Sequence, residues 1–552
     1  MNRNNSRQRT IEIGRILVRN GFGWLWSKWG IGSVLGSFDK HADEAKPDAR
    51  SQPERLRLTF EELGTTFIKL GQTLSTRPDL LPPEYIAELS KLQDHVPEVP
   101  YEDIESTIRH EFNREPAELF QKFDPKPRAA GSVAQVHRAV LPDGTAVVVK
   151  VRRPGIDLLV EQDLAILGQV ARLLTPRVAF AKNVDLEGLV DEFAFTLRNE
   201  LDFSREGQNA ERIAAQFADD PSLHVPTVFW DFSAHTVLTM EEIQGIKIDD
   251  LASLDAAGLD RRELAKSCAH IALVQVLDNG FFHADPHPGN FFVQLDGTIA
   301  LIDYGMVGRI GDRLRASLLR LALAVSRKDA DRLLDELLTM GATHTSVDRA
   351  GLTRDIEKMI SQYDGLPLGQ ISLAKIMREV TSAAQHHGLK LPSDLVVLAR
   401  VVAMDEGMGA TLDPDFNFME YAQPFFVSFW KKSHSLSAMA ARLRDGVVDL
   451  ADMAMELPET LKRVSGIVER GEVTVTSRIE LPEDIVRKAQ QAANRIAISV
   501  LAAGLIIGLS VLALAYGPSA SEGFVSFILK AALAAGVLTC AWLLTAFWKS
   551  AK

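Results

Sequence analysis

The sequence predicts an α+β chain of two lobes, with a helical extension in front of them and two membrane-spanning helices behind. Three observations predict it. A hairpin of small and β-branched residues ends in Lys150 between helical segments. A cluster of His, Asp, Asn and Gly over residues 283–305 is threaded between short apolar strands and followed by a long helical stretch. Two apolar runs close the chain.

At 552 residues the chain exceeds one ordinary domain. A net charge of −12 argues against nucleic acid as a main partner. Two cysteines, Cys268 and Cys540, exclude a disulfide framework and suit a reducing compartment. The first residues are basic and never reach an uninterrupted apolar core, so no secretory signal is predicted.

Residues 1–50 form a basic, aromatic segment. Ile11, Ile13, Ile16, Leu17, Phe22, Trp24, Leu25, Trp26 and Trp29 alternate there with Arg15, Arg19 and Lys28. That mixture suits a membrane headgroup region, and equally an amphipathic helix packed on its own domain. Residues 51–125 read as a helical extension containing Lys69, Gly71 and Gln72. A mid-helix glycine costs about 1 kcal/mol against alanine, so Gly71 implies close approach of a neighbour. A short helix is expected over 80–92.

Residues 126–245 form the first lobe. Its hairpin runs from Arg128 to Ala139, turns at Asp143-Gly144 and returns through 147–151. Ala129, Ala130, Gly131, Ser132 and Val133 let backbone lie against phosphates, and Lys150 stands where a phosphate-pairing lysine is required. Helices are expected over 160–174 and from 186 onward, the latter carrying Glu192, Glu200, Asp202, Glu206 and Asn209. An acidic helix face is ordinarily just solvated. One helical glutamate must nevertheless pair with Lys150 in such a lobe, and Glu200 and Glu206 are the candidates. Strands over 227–230 and 236–242 end at Met240, Glu241 and Glu242, in the place of a hinge to a nucleotide base.

Residues 246–430 form the second lobe, whose apolar helix over 261–280 leads into the central cluster. His283, Asp285 and Asn290 read H-x-D-x-x-x-x-N, and a turn at 295–298 separates this loop from Asp303-Tyr304-Gly305. That is the layout of a protein-kinase catalytic loop and metal loop. Phosphoryl transfer needs a carboxylate to orient the acceptor, here Asp285, and oxygen ligands for Mg²⁺, here Asn290 and Asp303. Two plainer readings compete. His283, Asp285 and His287 could bind a transition metal, although Pro286 and Pro288 break any strand and no further cluster completes the set. The stretch could also be a solvated Pro-Gly loop. The kinase order of Lys150, Asp285, Asn290 and Asp303 argues against both. No A-P-E sequence follows, and residues 311–430 read as helices, so the usual docking surface for a protein substrate is missing.

A helical linker is expected over 431–490, then two transmembrane helices within 496–547, at 496–516 and 524–547. Lys530 lies near the start of the second and can snorkel. Arg487, Lys488 and Arg495 precede the first span, Lys549 and Lys552 follow the second, and the loop between carries only Glu522. This distribution predicts a hairpin with both ends, and the globular part, on the cytoplasmic side. Gly504 and Gly508 form a G-x-x-x-G that permits close helix contact, which leaves a homodimer open.

Taken together these motifs resemble the UbiB family of atypical kinase-like proteins, over roughly residues 50–550. The family's K-x-G-Q is Lys69, Gly71 and Gln72, and its E-x-D is Glu200 and Asp202. The resemblance implies an atypical protein-kinase-like two-lobe fold. It implies a K-x-G-Q helix packed across the nucleotide site, blocking protein substrates, with Lys69 facing Glu200 or Asp202 in an ion cluster that includes Gln72 and Glu206. It implies binding of ATP with Mg²⁺ and an ATPase activity stimulated by lipid or quinone-like precursors. The expected partners are membrane lipids, polyprenyl quinone precursors and other ubiquinone-biosynthesis enzymes, at the bacterial inner membrane. One departure is Gly131, where the family's loop is usually A-A-A-S; glycine makes the loop more permissive in φ and bears on nucleotide preference. The alternatives are a protein or small-molecule kinase in which Asp285 activates an acceptor hydroxyl, and a non-catalytic nucleotide-sensing scaffold.

Overall fold

The computed structural model describes residues 3–23, 50–75, 77, 80–92, 97–176, 185–327, 329–341, 348–363, 372–389 and 391–433. The chain divides into Met1–Ala441 and Arg442–Lys552, and the described residues all lie in the first unit. The predicted spans at 496–516 and 524–547, the linker beyond Ser433, and Trp24, Leu25, Trp26 and Trp29 lie outside the described residues. Among the described residues no helix is long and apolar enough to cross a membrane.

The extension is a helical cluster. α1 (Arg3–Leu17) places Ile13 and Ile16 against Phe60 and Leu63 of α2 (Gln52–Leu63), Phe67 and Ile68 of α3 (Thr65–Ser75) and Leu89 of α4 (Pro83–Leu89). Of the two readings of this basic segment, packing on its own domain holds for residues 3–17. α2 starts at Ser51, whose hydroxyl accepts from Glu54 N at 3.3 Å, and ends at Gly64 with φ of 91°. Arg9 secures that corner: Nη2 donates to Leu63 O at 2.7 Å while Nε reaches buried Asp163 at 2.8 Å.

The first lobe is a five-stranded antiparallel sheet backed by α5 (Tyr101–Phe112) and the single turn α6 (Pro116–Leu119). β1 (Lys122–Phe123), β3 (Ala134–Val140), β4 (Ala146–Arg152) and β6 (Val237–Glu241) lie in that order, with β2 (Ala129–Ala130) on β3. Val147, Val149 and Val151 are fully buried beside Ile104 and Ile108, each burial worth about 1.5 to 3 kcal/mol. The period of two then turns Lys150 to the opposite face.

α7 (Ile156–Leu174) and α8 (Leu186–Glu200) pack together, and α9 (Phe203–Gln216) follows. The single helix expected from 186 onward is broken at Leu201-Asp202. Asp202 turns extended, with φ −102° and ψ 93°, and its carboxylate accepts from Ser204 N at 3.1 Å, starting a new helix. The strand expected over 227–230 is likewise replaced by one bridge, Val228 to Met240, and a 3₁₀ turn at Trp230–Phe232. The Glu241 carboxylate and the Ser233 hydroxyl take the backbone donors of Thr227 and Thr239 there.

In the second lobe β5 (Leu223–His224) runs parallel to β10 (Ile299–Leu301), which pairs antiparallel with β9 (Phe291–Val293), and β9 with β7 (Ile246–Lys247). β8 (Phe281–His283) pairs with β11 (Val307–Arg309). After α10 (Leu251–Ala256), α11 (Arg261–Leu273) continues as a π-helical segment, Val274–Asn279, and stops at Gly280 with φ of 62°. A Cβ there would stand 2.5 Å from Ile310 O. The core joins Leu264, Cys268, Phe281, Phe291, Ile299, Leu301 and Tyr304 to Leu238 of the sheet above. The helices α12 (Asp312–Ser326), α13 (Ala330–Met340), α14 (Arg349–Gln362), α15 (Leu373–His386), α16 (Ser393–Leu412) and α17 (Phe418–Ser433) follow, with α16 and α17 against α11.

Candidate functional site

Lys150 is the centre of the site. Its ammonium donates to both carboxylate oxygens of Glu206 at 2.8 Å, stands 4.0 Å from Asp303 Oδ2 and lies 5.2 Å from the centre of the Phe203 ring. Glu206, not Glu200, is therefore its helical partner; the restart of the chain at Asp202 sets the phase of α9 that brings Glu206 and Phe203 inward. Burial pushes the Lys150 ammonium down, and Asp303 and Glu206 more than offset it, leaving it above the usual lysine range. Burial raises the Glu206 carboxyl, with Lys150 opposing. At Asp303 burial is outweighed by Lys150, by the Gly305 N–H at 2.8 Å, and by His283 and Lys69, which together hold it down to about 2.

The small-residue loop is tied at its carbonyls. Arg153 Nε donates to Gly131 O at 2.8 Å, Arg153 N to Val133 O at 3.0 Å, and Thr65 Oγ1, on the first residue of α3, to Ser132 O at 2.8 Å. Ala129 and Ala130 are already strand, paired with Val136 and Gln135. Gly131 N donates to Ala134 O at 2.8 Å. Its φ is outside the left-handed region, and a Cβ there would meet only Ala134 O, at an ordinary 3.5 Å. The conformational freedom expected of Gly131 is not used in this state.

The H-x-D-x-x-x-x-N loop is held by its own histidine. His283 Nε2 donates to Asp303 O at 2.7 Å, and Nδ1 accepts from Asp285 N at 3.1 Å. Burial keeps the imidazole below its ordinary range, with Asp303 and Asp285 opposing and Arg400 adding to the depression. Both ring nitrogens are occupied, so His283 is no metal ligand. His287 caps the turn at Pro288–Asn290, its Nδ1 accepting from Gly289 N at 3.1 Å. The transition-metal reading is overturned on this geometry. Asn290 Nδ2 donates to Asp285 O at 3.4 Å, and Ile302 N to Asn290 O at 3.1 Å, which sets Asn290 beside Asp303. The carboxylate of Asp303 and the amide oxygen of Asn290 are hard donors that fit Mg²⁺ held jointly with phosphate oxygens. Tyr304, fully buried, donates its hydroxyl to Leu301 O at 2.7 Å, and Asn209 Nδ2 donates to Tyr304 O at 3.1 Å.

α3 closes the arrangement from the extension. Lys69 Nζ lies 3.4 Å from Glu200 Oε1, and Gln72 Nε2 donates to Leu92 O at 3.3 Å. Gly71 meets its requirement for close approach: a Cβ would fall 2.3 Å from Leu92 Cδ1 and 2.7 Å from Phe60 Cδ2. Asp202 is a correction to the expected ion cluster. Its carboxylate caps α9 and takes His235 Nδ1 at 3.0 Å, with Arg205 at 3.4 Å.

At the position expected for a hinge, Met240 is buried, Glu241 Oε2 takes His224 Nε2 at 3.1 Å, and Glu242 Oε1 takes Arg128 at 2.6 Å and Arg138 at 2.7 Å. Sequence reasoning missed Thr65, Arg153 and Arg400. Arg400 Nη2, on α16, donates to Asp285 Oδ1 at 2.7 Å. Nothing local marks Thr65 or Arg400; Arg153 alone had a signal, as a charged residue just past the lysine strand.

The chain matches three family models: the ABC1 atypical kinase-like domain over residues 91–337, the UbiB helical domain over 356–417, and the ABC1/UbiB kinase-like C-terminal domain over 482–549. An uncharacterized protein of Synechocystis is 35% identical over 488 residues, 87% of this chain and 82% of its own. Protein activity of BC1 complex kinase 7, chloroplastic, of Arabidopsis thaliana is 34% identical over 496 residues, 88% of this chain and 70% of its own. Probable protein kinase UbiB of Marinobacter nauticus is 35% identical over 417 residues, 74% and 76% of the two chains.

Proposed function

The chain belongs to the ABC1/UbiB family of atypical kinase-like proteins, and on that premise we propose that it is a membrane-anchored enzyme that binds and hydrolyses Mg-ATP. It would support ubiquinone or another polyprenyl quinone pathway by making lipid precursors accessible to the enzymes that modify them. The observation that carries the reading is the assembled cradle: Lys150 on both oxygens of Glu206, with Asp303 at 4.0 Å. Lys150 pairs with phosphate oxygens, Glu206 aims it, and Asp285 orients the attacking oxygen. Asp303 and Asn290 would hold Mg²⁺, which neutralises phosphate charge when bound. The membrane role is supported by the two apolar runs and by the absence of an A-P-E segment from the sequence.

The test is phosphate release from Mg-ATP by the full chain in membranes, with and without anionic lipid and a phenol resembling a quinone head group. Asp285→Asn and Asp303→Asn are the controls. Lipid-stimulated release lost in both variants is expected; nucleotide binding without any release in the wild type would favour a nucleotide-sensing scaffold. A second reading, transfer to an acceptor hydroxyl, uses the same Asp285 Oδ2, which has no partner among the described residues, with a hydroxyl in place of water. Label moving from ATP to an acceptor would establish it.

A further inference from the structure

Asp285 is engaged from outside the catalytic loop. Arg400 Nη2 donates to Asp285 Oδ1 at 2.7 Å, and both side chains are 33% exposed. The contact exists because α16 lies against α11, the helix that leads into the loop. A guanidinium has five N–H donors in a planar fork, and among the described residues Asp285 is the only hydrogen-bond acceptor of Arg400. An exposed Arg–Asp pair usually contributes little to stability. This one places a cation with unused donors beside the carboxylate that orients the attacking oxygen, and it accounts for what the helical region adds to the site.

We propose that Arg400 is a catalytic residue, an arginine supplied in cis by the helical region, which holds Asp285 through one N–H and gives its remaining donors to the phosphoryl group in transfer. The proposal rests on the ATP-hydrolysis reading. In the step, a water oxygen bonds to the γ-phosphorus and the bond from that phosphorus to the bridging oxygen breaks, its electron pair leaving on ADP. The water proton passes to Asp285 Oδ2, the oxygen Arg400 leaves open. Charge spreads over the three equatorial phosphoryl oxygens at that moment, and a planar fork matches two of them at once where an ammonium is a single point. Ground-state binding, borne by Lys150 and the metal ligands, depends on Arg400 far less.

The experiment uses the full chain in membranes, comparing wild type, Arg400→Lys and Arg400→Ala. It measures kcat and KM for Mg-ATP, affinity for Mg-ADP, and affinity for Mg-ADP with aluminium fluoride, a mimic of the transferred group. We expect kcat to fall about 10²- to 10³-fold in both variants, with ADP affinity within about threefold of wild type. Tighter binding of the mimic than of ADP should be lost with Arg400. Retained kcat and retained preference for the mimic in Arg400→Lys would overturn the proposal, as would equal loss of ADP and mimic affinity in both variants, the mark of a structural role. If wild type releases no phosphate yet prefers the mimic only with Arg400 present, the hydrolysis reading fails while the assignment of Arg400 stands.

Discussion

Glu200 and Glu206 stand close in sequence, and each faces a lysine, yet the two pairs are built differently. Lys150 and Glu206 meet through two contacts of 2.8 Å, with the carboxylate almost wholly buried, inside one lobe. Lys69 and Glu200 meet at 3.4 Å, with side chains 17% and 12% exposed, across the boundary between extension and lobe. The difference is what each pair must survive. A buried, doubly bonded pair is costly to break on one side, and with Asp303 at 4.0 Å it constructs the cradle. The second pair, about as buried as the first, is a single longer contact that ties α3 to the first lobe.

That comparison breaks most visibly if the inner pair proves dispensable. Glu206→Gln removes the closer of the two carboxylates that hold the Lys150 ammonium, leaving Asp303 at 4.0 Å, and is expected to cost about 3 kcal/mol in denaturant unfolding, with loss of Mg-ATP binding. Lys69→Met, which removes a single 3.4 Å contact, is expected to cost less, about 1 to 3 kcal/mol. Equal losses would remove the distinction. Two glycines sharpen it next, one on each side. Gly71→Ala forces a methyl into Phe60 and Leu92; overpacking at about 1 to 3 kcal/mol outweighs the propensity gain of about 1 kcal/mol, so net destabilisation is expected. Gly131→Ala, in the cradle, should leave unfolding within about 0.5 kcal/mol, because its φ and its surroundings both admit alanine. A marked loss at Gly131 in the same unfolding series would mean that the loop needs its glycine. A further effect is in acid. Asp303 is held to about 2, below an ordinary carboxyl near about 4. A depressed carboxylate contributes stability that is fully present above its unfolded value and lost as pH falls through its folded one. Wild type should therefore lose more stability than Asp303→Asn between about pH 4 and pH 2, and the two should run parallel from pH 5 to pH 8. Parallel curves through the acid range would place Asp303 outside the cradle's charge balance.

Much of the architecture was legible because it is written in local periods. The alternation at Val147, Val149 and Val151 marks a strand with one buried face, and it sends Lys150 to the other. The run His283 to Gly305 carries its spacing within a single loop and hairpin. The readings that failed share a cause. A continuous helix from 186 onward was a fair inference from composition, but Asp202 gives its carboxylate to Ser204 N and breaks it. The strand at 227–230 had strand-forming residues, and side chains from Glu241 and Ser233 took the donors a ladder would need.

The sequence by itself determined the kinase-like order of Lys150, Asp285, Asn290 and Asp303, the paired lobes and the family motifs, because these depend on spacings of a few residues that local geometry converts directly into position. Only the tertiary structure decided which glutamate pairs with which lysine, that Thr65 and Arg153 tether the small-residue loop, and that Arg400 reaches Asp285. Apart from the Arg153 tether, which closes one hairpin, each of those contacts joins elements distant along the chain, and which side chains meet there is set by how helices dock on a shared core rather than by any pattern along the backbone.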